Sequence, residues 1–377
     1  MLVLENKVIL CTISFKAKQY IEDLSNYISI IEVIMNKRLD YIDTAKGIGI
    51  ILVVIYHHLL GAEFINNWIS SFHMPLFFMI TGYLYAFRDD YTKPVGEFIV
   101  QKLKGLMYPF ATLSFIVIIW NAFFYNVVFP SVTPENSTLE IFWLTITTYG
   151  YHALWFVPCL FYSSVIFYVL RKFSFHHWNW AIIVLFAVVF TFVPGADIFT
   201  YYPVRFFVRI LIGLMFIYFG YLFFRLLSKI QKRWQLIILI GSGLVSVLSF
   251  IGYYLYPGLL PFINIGVCHI EKPIIYLFLA LSGSSFIILL SQYIGNKVLG
   301  FFGKNSLIIM AFHMDLTTEV AWLIEGRIPW NVNETIQSAA VVTIELVMLV
   351  IMILLINRFI PFLYQYRKLP FLKRDGK

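Results

Sequence analysis

Lys46 and His57 stand eleven residues apart in DYIDTAKGIGIILVVIYHH, an otherwise apolar stretch. On a helix, eleven residues turn through about 1100°, within about 20° of a whole number of turns. The two side chains therefore share a face, separated by roughly 16 Å along the axis. Asp43 falls on the same stripe. An ammonium at one membrane interface and an imidazole about half a bilayer away suit a charged cosubstrate entering from one side and a proton moved further in. A polar residue at that depth is costly unless it faces the protein interior or a water-filled cavity. A helix-packing hydrogen bond is the blander use of such a histidine.

Other residues of the same chemical kinds lie further along. FHMPLFFMITGYLYAF places His73 near an interface and Thr81 and Gly82 further in, and Gly82 admits a close backbone or ligand. In GKNSLIIMAFHMDL, a continuous helix would carry His313 about 13 Å from Lys304, at a depth comparable with His57. Arg205 and Arg209, at i and i+4, suit an oxyanion, a carboxylate or a sugar hydroxyl, with snorkelling to the interface as the alternative. Trp155, in HALWFVPCLF, is placed to stack on a sugar or to join an interfacial aromatic belt. Asp315, Glu319 and Glu345 are further acidic candidates in apolar surroundings, ranked below the histidines.

The elements that must position these groups are membrane helices. Of 377 residues, 60% are apolar and 13% charged, a composition that water does not solvate. Apolar runs centre near 46–62, 73–88, 105–129, 152–171, 178–194, 204–226, 235–256, 273–293, 299–324 and 336–360. The expected fold is all-α, a polytopic helical bundle of about ten transmembrane helices. With the N-terminus cytoplasmic, of the 28 Lys and Arg only Arg205, Arg209, Lys272 and Arg327 fall outside or within spans on that side. That bias places both termini in the cytoplasm. It also accounts for the net charge of +8 without a nucleic-acid partner, since the basic residues form no single stripe. Cys11, Cys159 and Cys268 have no paired spacing, so neither a disulfide framework nor a metal site is expected. Residues 1–34 carry too many charges to span a membrane and lack a signal-peptide cleavage site; they read as an amphipathic cytoplasmic extension or as a mis-assigned start ahead of Met35. The transmembrane domain is expected over 35–362 and a basic cytoplasmic tail over 363–377.

Together, RLDYIDTAKGIGIILVVIYHH, FHMPLFFMITGYLYAF, ALWFVPCLF and FFGKNSLIIMAFH resemble the acyltransferase family 3 membrane proteins, in the branch similar to fucose 4-O-acetylases, over about residues 36–360. The resemblance implies about ten spans and transfer of an acyl group, usually acetyl from cytoplasmic acetyl-CoA, to sugars of a surface polysaccharide on the far side of a bacterial cell membrane. Lys46 and His57 match the family's basic residue and histidine; His73, Phe77, Phe78, Thr81 and Gly82 match its second-span motif. His58 doubles the histidine, and Thr81 stands where serine is common. On this reading His57 is the general base, with His73 and His313 as further members of the catalytic set. Lys46, Lys102, Lys104 and Lys304 would meet the phosphates of acetyl-CoA. Arg205, Arg209, Trp155, Asp43 and Thr81 would contact the acceptor, a glycan or lipid-linked oligosaccharide. Direct transfer needs fewer steps than an acyl-histidine intermediate. A glycan transporter or flippase is the competing class, although no inverted repeat is visible.

Overall fold

The computed structural model describes residues 39–128, 137–173, 201–325 and 333–366. The chain divides into Met1–Asp40 and Tyr41–Lys377. Apart from residues 39 and 40, the first unit lies outside the described residues, as do the expected span at 178–194 and the tail beyond residue 366.

Helix α1 (Asp40–His58) holds Lys46 and His57 on one continuous rod. It is followed by α2 (Glu63–Ser70), α3 (His73–Phe87) and the long α4 (Val95–Val128), which contains π-helical turns at Leu103–Met107 and Phe124–Val128. Next come α5 (Thr138–Ile146), α6 (His152–Lys172, beginning with a 3-10 turn), α7 (Tyr202–Leu227) and α8 (Lys232–Leu255). A small antiparallel hairpin, β1 (Ile263–Asn264) with β2 (His269–Ile270), precedes α9 (Pro273–Ile294). The remainder is α10 (Lys297–Lys304), α11 (Ser306–Phe312), α12 (Leu316–Glu325) and α13 (Glu334–Phe359).

Six helices among the described residues, α4, α6, α7, α8, α9 and α13, are long and apolar enough to cross a bilayer. The expected spans at 46–62, 73–88 and 299–324 are not among these six. Helix α1 stops at His58 and carries Asp40, Asp43 and Lys46, while α3 has only 15 residues. The run 299–324 is not one helix: it breaks at Asn305 and again at His313–Asp315. The straight-helix rise from Lys304 to His313 therefore does not apply. The first break is tied to α13, where the Asn357 amide donates to Asn305 Oδ1 at 3.0 Å.

These less regular helices are buried by close backbone packing. A Cβ on Gly82 would overlap the Ile217 carbonyl, and one on Gly220 the Met79 carbonyl, so α3 and α7 cross backbone against backbone. Gly47 of α1 meets the Leu299 carbonyl of α10 in the same way, and Gly303 of α10 meets the Asp43 carbonyl. Small residues at such crossings let helices associate where lipid offers no hydrophobic driving force.

Candidate active site

A cavity of about 750 Å³ opens beside the His57 end of α1. Helix α1 contributes Tyr56 and His57, α2 contributes Asn66 and Asn67, and α3 contributes His73. The first turn of α6 adds His152 and Trp155, α7 adds Arg205 and Arg209, and the hairpin closes one wall with Asn264 and Gly266. Five residues singled out from sequence, His57, His73, Trp155, Arg205 and Arg209, thus line one cavity although they come from four helices.

The two consecutive histidines of α1 diverge. His57 lines the cavity, between the rings of Tyr56 (centroids 4.9 Å apart) and His313 (5.3 Å). His58 turns instead to the second helix break, with Nε2 3.1 Å from the His313 carbonyl, 3.3 Å from Thr318 Oγ1 and 3.4 Å from Glu345 Oε2. The Thr317 hydroxyl donates to Glu345 Oε1 at 2.7 Å, so the fully buried carboxylate of α13 clamps both α1 and the break. His313 is itself fully buried; its Nδ1 bonds the Ile309 carbonyl at 2.9 Å and its Nε2 has no hydrogen-bond partner. His73 is held in the same fashion, with Nδ1 2.9 Å from the Ile69 carbonyl and Tyr56 5.0 Å away. Each of those ring nitrogens must be the N–H, because a carbonyl only accepts.

Arg209 is buried, not snorkelled to an interface. Its guanidinium lies 4.5 Å over the Trp155 ring and donates to the Gly266 carbonyl, which fixes both the arginine and the aromatic at the cavity wall. Arg205 sits 5.4 Å over Tyr202.

The remaining sequence candidates do not line this cavity. Lys46 pairs with Asp43 at 3.8 Å, toward the opposite end of α1. Lys102 lies over the Phe98 ring and within electrostatic reach of Lys46, Arg88, Lys93 and Asp90. Lys104 lies over the Tyr366 ring, and Lys304 is exposed at the end of α10. The Thr81 hydroxyl is spent on the Phe77 carbonyl at 3.0 Å, and Gly82 receives a backbone and not a ligand. Among the described residues, no group of three or more His, Cys, Asp or Glu is placed to hold a metal ion.

Sequence reasoning passed over His152. Its Nδ1 is 2.9 Å from Asp315 Oδ1, a carboxylate supplied by the second helix break. A signal was present in YGYHALW, where a histidine follows a glycine turn immediately before an apolar run.

Residues 39–357 match the family described as acyltransferase domain. The chain belongs to acyltransferase family 3. Its cavity histidines all lie within the matched range. The chain is also 32% identical over 152 residues to the nodulation protein NolL of Mesorhizobium japonicum, a match that spans 37% of this chain and 37% of that protein. No solved structure matches it.

Proposed function

We propose that this acyltransferase moves an acetyl group from cytoplasmic acetyl-CoA to a sugar hydroxyl of a cell-surface polysaccharide, or its lipid-linked precursor, in the bacterial cytoplasmic membrane. The observation that carries the reading is the division of α1. Its His57 end borders a cavity with histidines, arginines and a tryptophan; its Lys46 end lies within electrostatic reach of Lys102, which Arg88 and Lys93 also approach. A polyanionic nucleotide is held at the basic end, with Lys104 two residues beyond Lys102 and Lys304 next to Gly303, which packs on the Asp43 carbonyl, and its thin pantetheine arm delivers the thioester toward His57. Both termini lie in the cytoplasm and about ten helices cross the membrane.

In the cavity His57 removes the proton of the acceptor hydroxyl as that oxygen attacks the thioester carbonyl. His73 and His313 flank it, and Arg205 or Arg209 holds the developing oxyanion or the sugar, which stacks on Trp155. Asp43 and Thr81 act at a distance, through Lys46 and the α3 backbone.

The test compares wild type and His57→Ala at matched membrane levels for base-labile esters on the surface glycan, by NMR or mass spectrometry. Esters are expected with wild type and are expected to be lost in the variant; equal ester content refutes the role of His57. Glycan export that depends on the protein, without any ester that does, would favour a transporter.

A further inference from the structure

Acyl transfer from a thioester moves two protons: the hydroxyl loses one and the departing sulfur gains one. A single histidine can serve both in turn, whereas two separately held groups can serve them together; His57 is packed between the Tyr56 and His313 rings. His152 meets the cavity from α6, a different helix. Among the described histidines that line the cavity, it is the one held by a carboxylate.

Three observations mark His152 as placed for chemistry. Its Nδ1 is 2.9 Å from Asp315 Oδ1, and Asp315 is 4% exposed, so the ring is fixed by a buried anion. With Nδ1 committed to that carboxylate, proton exchange with a bound molecule runs through Nε2. Its backbone is left-handed, at φ +42°, after Gly150 at φ +76°, a conformation that side chains with a Cβ adopt at a cost. The Tyr151 ring, centroid 3.8 Å away, stacks on the imidazole and holds its plane.

We propose that His152, oriented by Asp315, is a second catalytic residue of the acyltransferase, the acid that protonates the sulfur of the leaving thiolate. This rests on the reading of a thioester donor with His57 as base. An imidazolium facing Asp315 forms a net-neutral pair, so the acid form places no unpaired charge in apolar surroundings. In the transfer, the acceptor O–H bond breaks and its proton goes to His57. The oxygen–carbonyl bond forms, the carbon–sulfur bond breaks with its electron pair on sulfur, and His152 Nε2 delivers the proton that makes the free thiol. His57 then loses its proton and His152 regains one through solvent, so no oxidant or reductant is needed. Asp315 is a positioning residue.

The test uses the full-length protein in detergent, with base-treated surface glycan from the producing cells as acceptor probe. Two acyl donors are compared: acetyl-CoA, and 4-nitrothiophenyl acetate, whose acidic thiol leaves as a stable anion. His152→Gln is expected to slow transfer from acetyl-CoA about 100-fold but transfer from the aryl thioester by no more than about threefold. His57→Gln is expected to slow both donors alike. Equal losses with both donors in His152→Gln overturn the proposal, because a structural role cannot tell the leaving groups apart. Retained activity in His57→Gln with a donor-selective loss in His152→Gln refutes the base and leaves the acid standing. If His152→Gln does not fold, Asp315→Asn carries the test: a loss of about tenfold confined to acetyl-CoA supports the proposal, and equal losses overturn it.

Discussion

Glu345 Oε2 of α13 lies 3.4 Å from His58 Nε2 of α1, across the break that carries His313 and Asp315. The carboxylate is fully buried and takes the Thr317 hydroxyl on its other oxygen, so one acidic residue joins three segments behind the cavity. Glu345→Ala removes the acceptor of the Thr317 hydroxyl and one of three polar neighbours of His58 Nε2, and a buried polar group left unsatisfied costs about 1–3 kcal/mol. Glu345→Ala is expected to lower the thermal unfolding midpoint in detergent, and Glu345→Gln, which keeps a hydrogen-bonding side chain, to lower it less. Equal midpoints for wild type and Glu345→Ala would show that the clamp contributes nothing.

Arg209 owes its place to the planar stack on Trp155 and the bond to the Gly266 carbonyl. Lysine retains charge but not the planar fork. Arg209→Lys is therefore expected to raise KM for the acceptor glycan about tenfold with kcat little changed, the signature of lost uniform binding. Steady-state kinetics at saturating acetyl-CoA read this directly, and a fall in kcat at constant KM would move Arg209 from binding to transition-state stabilisation.

The α3–α7 crossing is intolerant of even one methyl group. Gly82→Ala and Gly220→Ala each drive a Cβ into a facing carbonyl, whereas Gly96, Gly105 and Gly241 have nothing within 4 Å of theirs. The first pair is expected to reduce the yield of monodisperse protein in size-exclusion chromatography, and alanine at Gly96 or Gly241 to leave it unchanged. Backbone overlap in a packed interface costs typically 1–3 kcal/mol or more.

Sidedness is open to a labelling measurement. Lys272 and Lys304 are both exposed, one before α9 and the other beyond it at the end of α10. In a cysteine-free background, Lys304→Cys is expected to react with a membrane-impermeant maleimide only from the cytoplasmic face, and Lys272→Cys only from the opposite face. Labelling of both from one side contradicts the topology.

Cys268, in the hairpin turn between α8 and α9, is buried, and burial pushes its thiol up to about 11. The reactive species is the thiolate, so raising this value lowers reactivity at any pH below it. At pH 8 only about one thiol in a thousand is ionised. In a protein with Cys11 and Cys159 changed to serine, the alkylation rate is expected to rise about tenfold per pH unit until near pH 11. A plateau above pH 9 would instead identify an exposed, ordinary thiol.

Much of this arrangement is written in local pattern. Lys46 and His57 share a helix because eleven residues nearly close three turns, and Arg205 with Arg209 share a face for a similar reason. The six long apolar helices follow from hydropathy, which measures what lipid tolerates. The breaks in 297–325 are less legible, because composition stays apolar across them; Gly303 and Asn305 are the residues that mark the first. The pairing of His152 with Asp315 is invisible along the chain, since 163 residues separate the two and their meeting depends on which helices touch. The same holds for His58 and Glu345. Periodicity reports the face a residue occupies, while partnership is decided by the three-dimensional packing of other segments.

The segments that bear His57, His73 and His313 are those a bilayer accepts least readily. Helix α1 carries three charged residues, α3 is a short rod, and the His313 segment is broken twice, whereas α8 and α13 are long, apolar and mostly unburied. Insertion machinery that sorts segments by hydrophobicity recognises α8 and α13 unaided but receives a weak signal from α1. Helix α1 is therefore expected to depend during biogenesis on segments synthesised after it: α10, whose Leu299 carbonyl receives Gly47, and α13, whose Glu345 receives His58. Truncation after α9 would leave α1 without either companion, so the proposed site is expected to form only once α13 has been made.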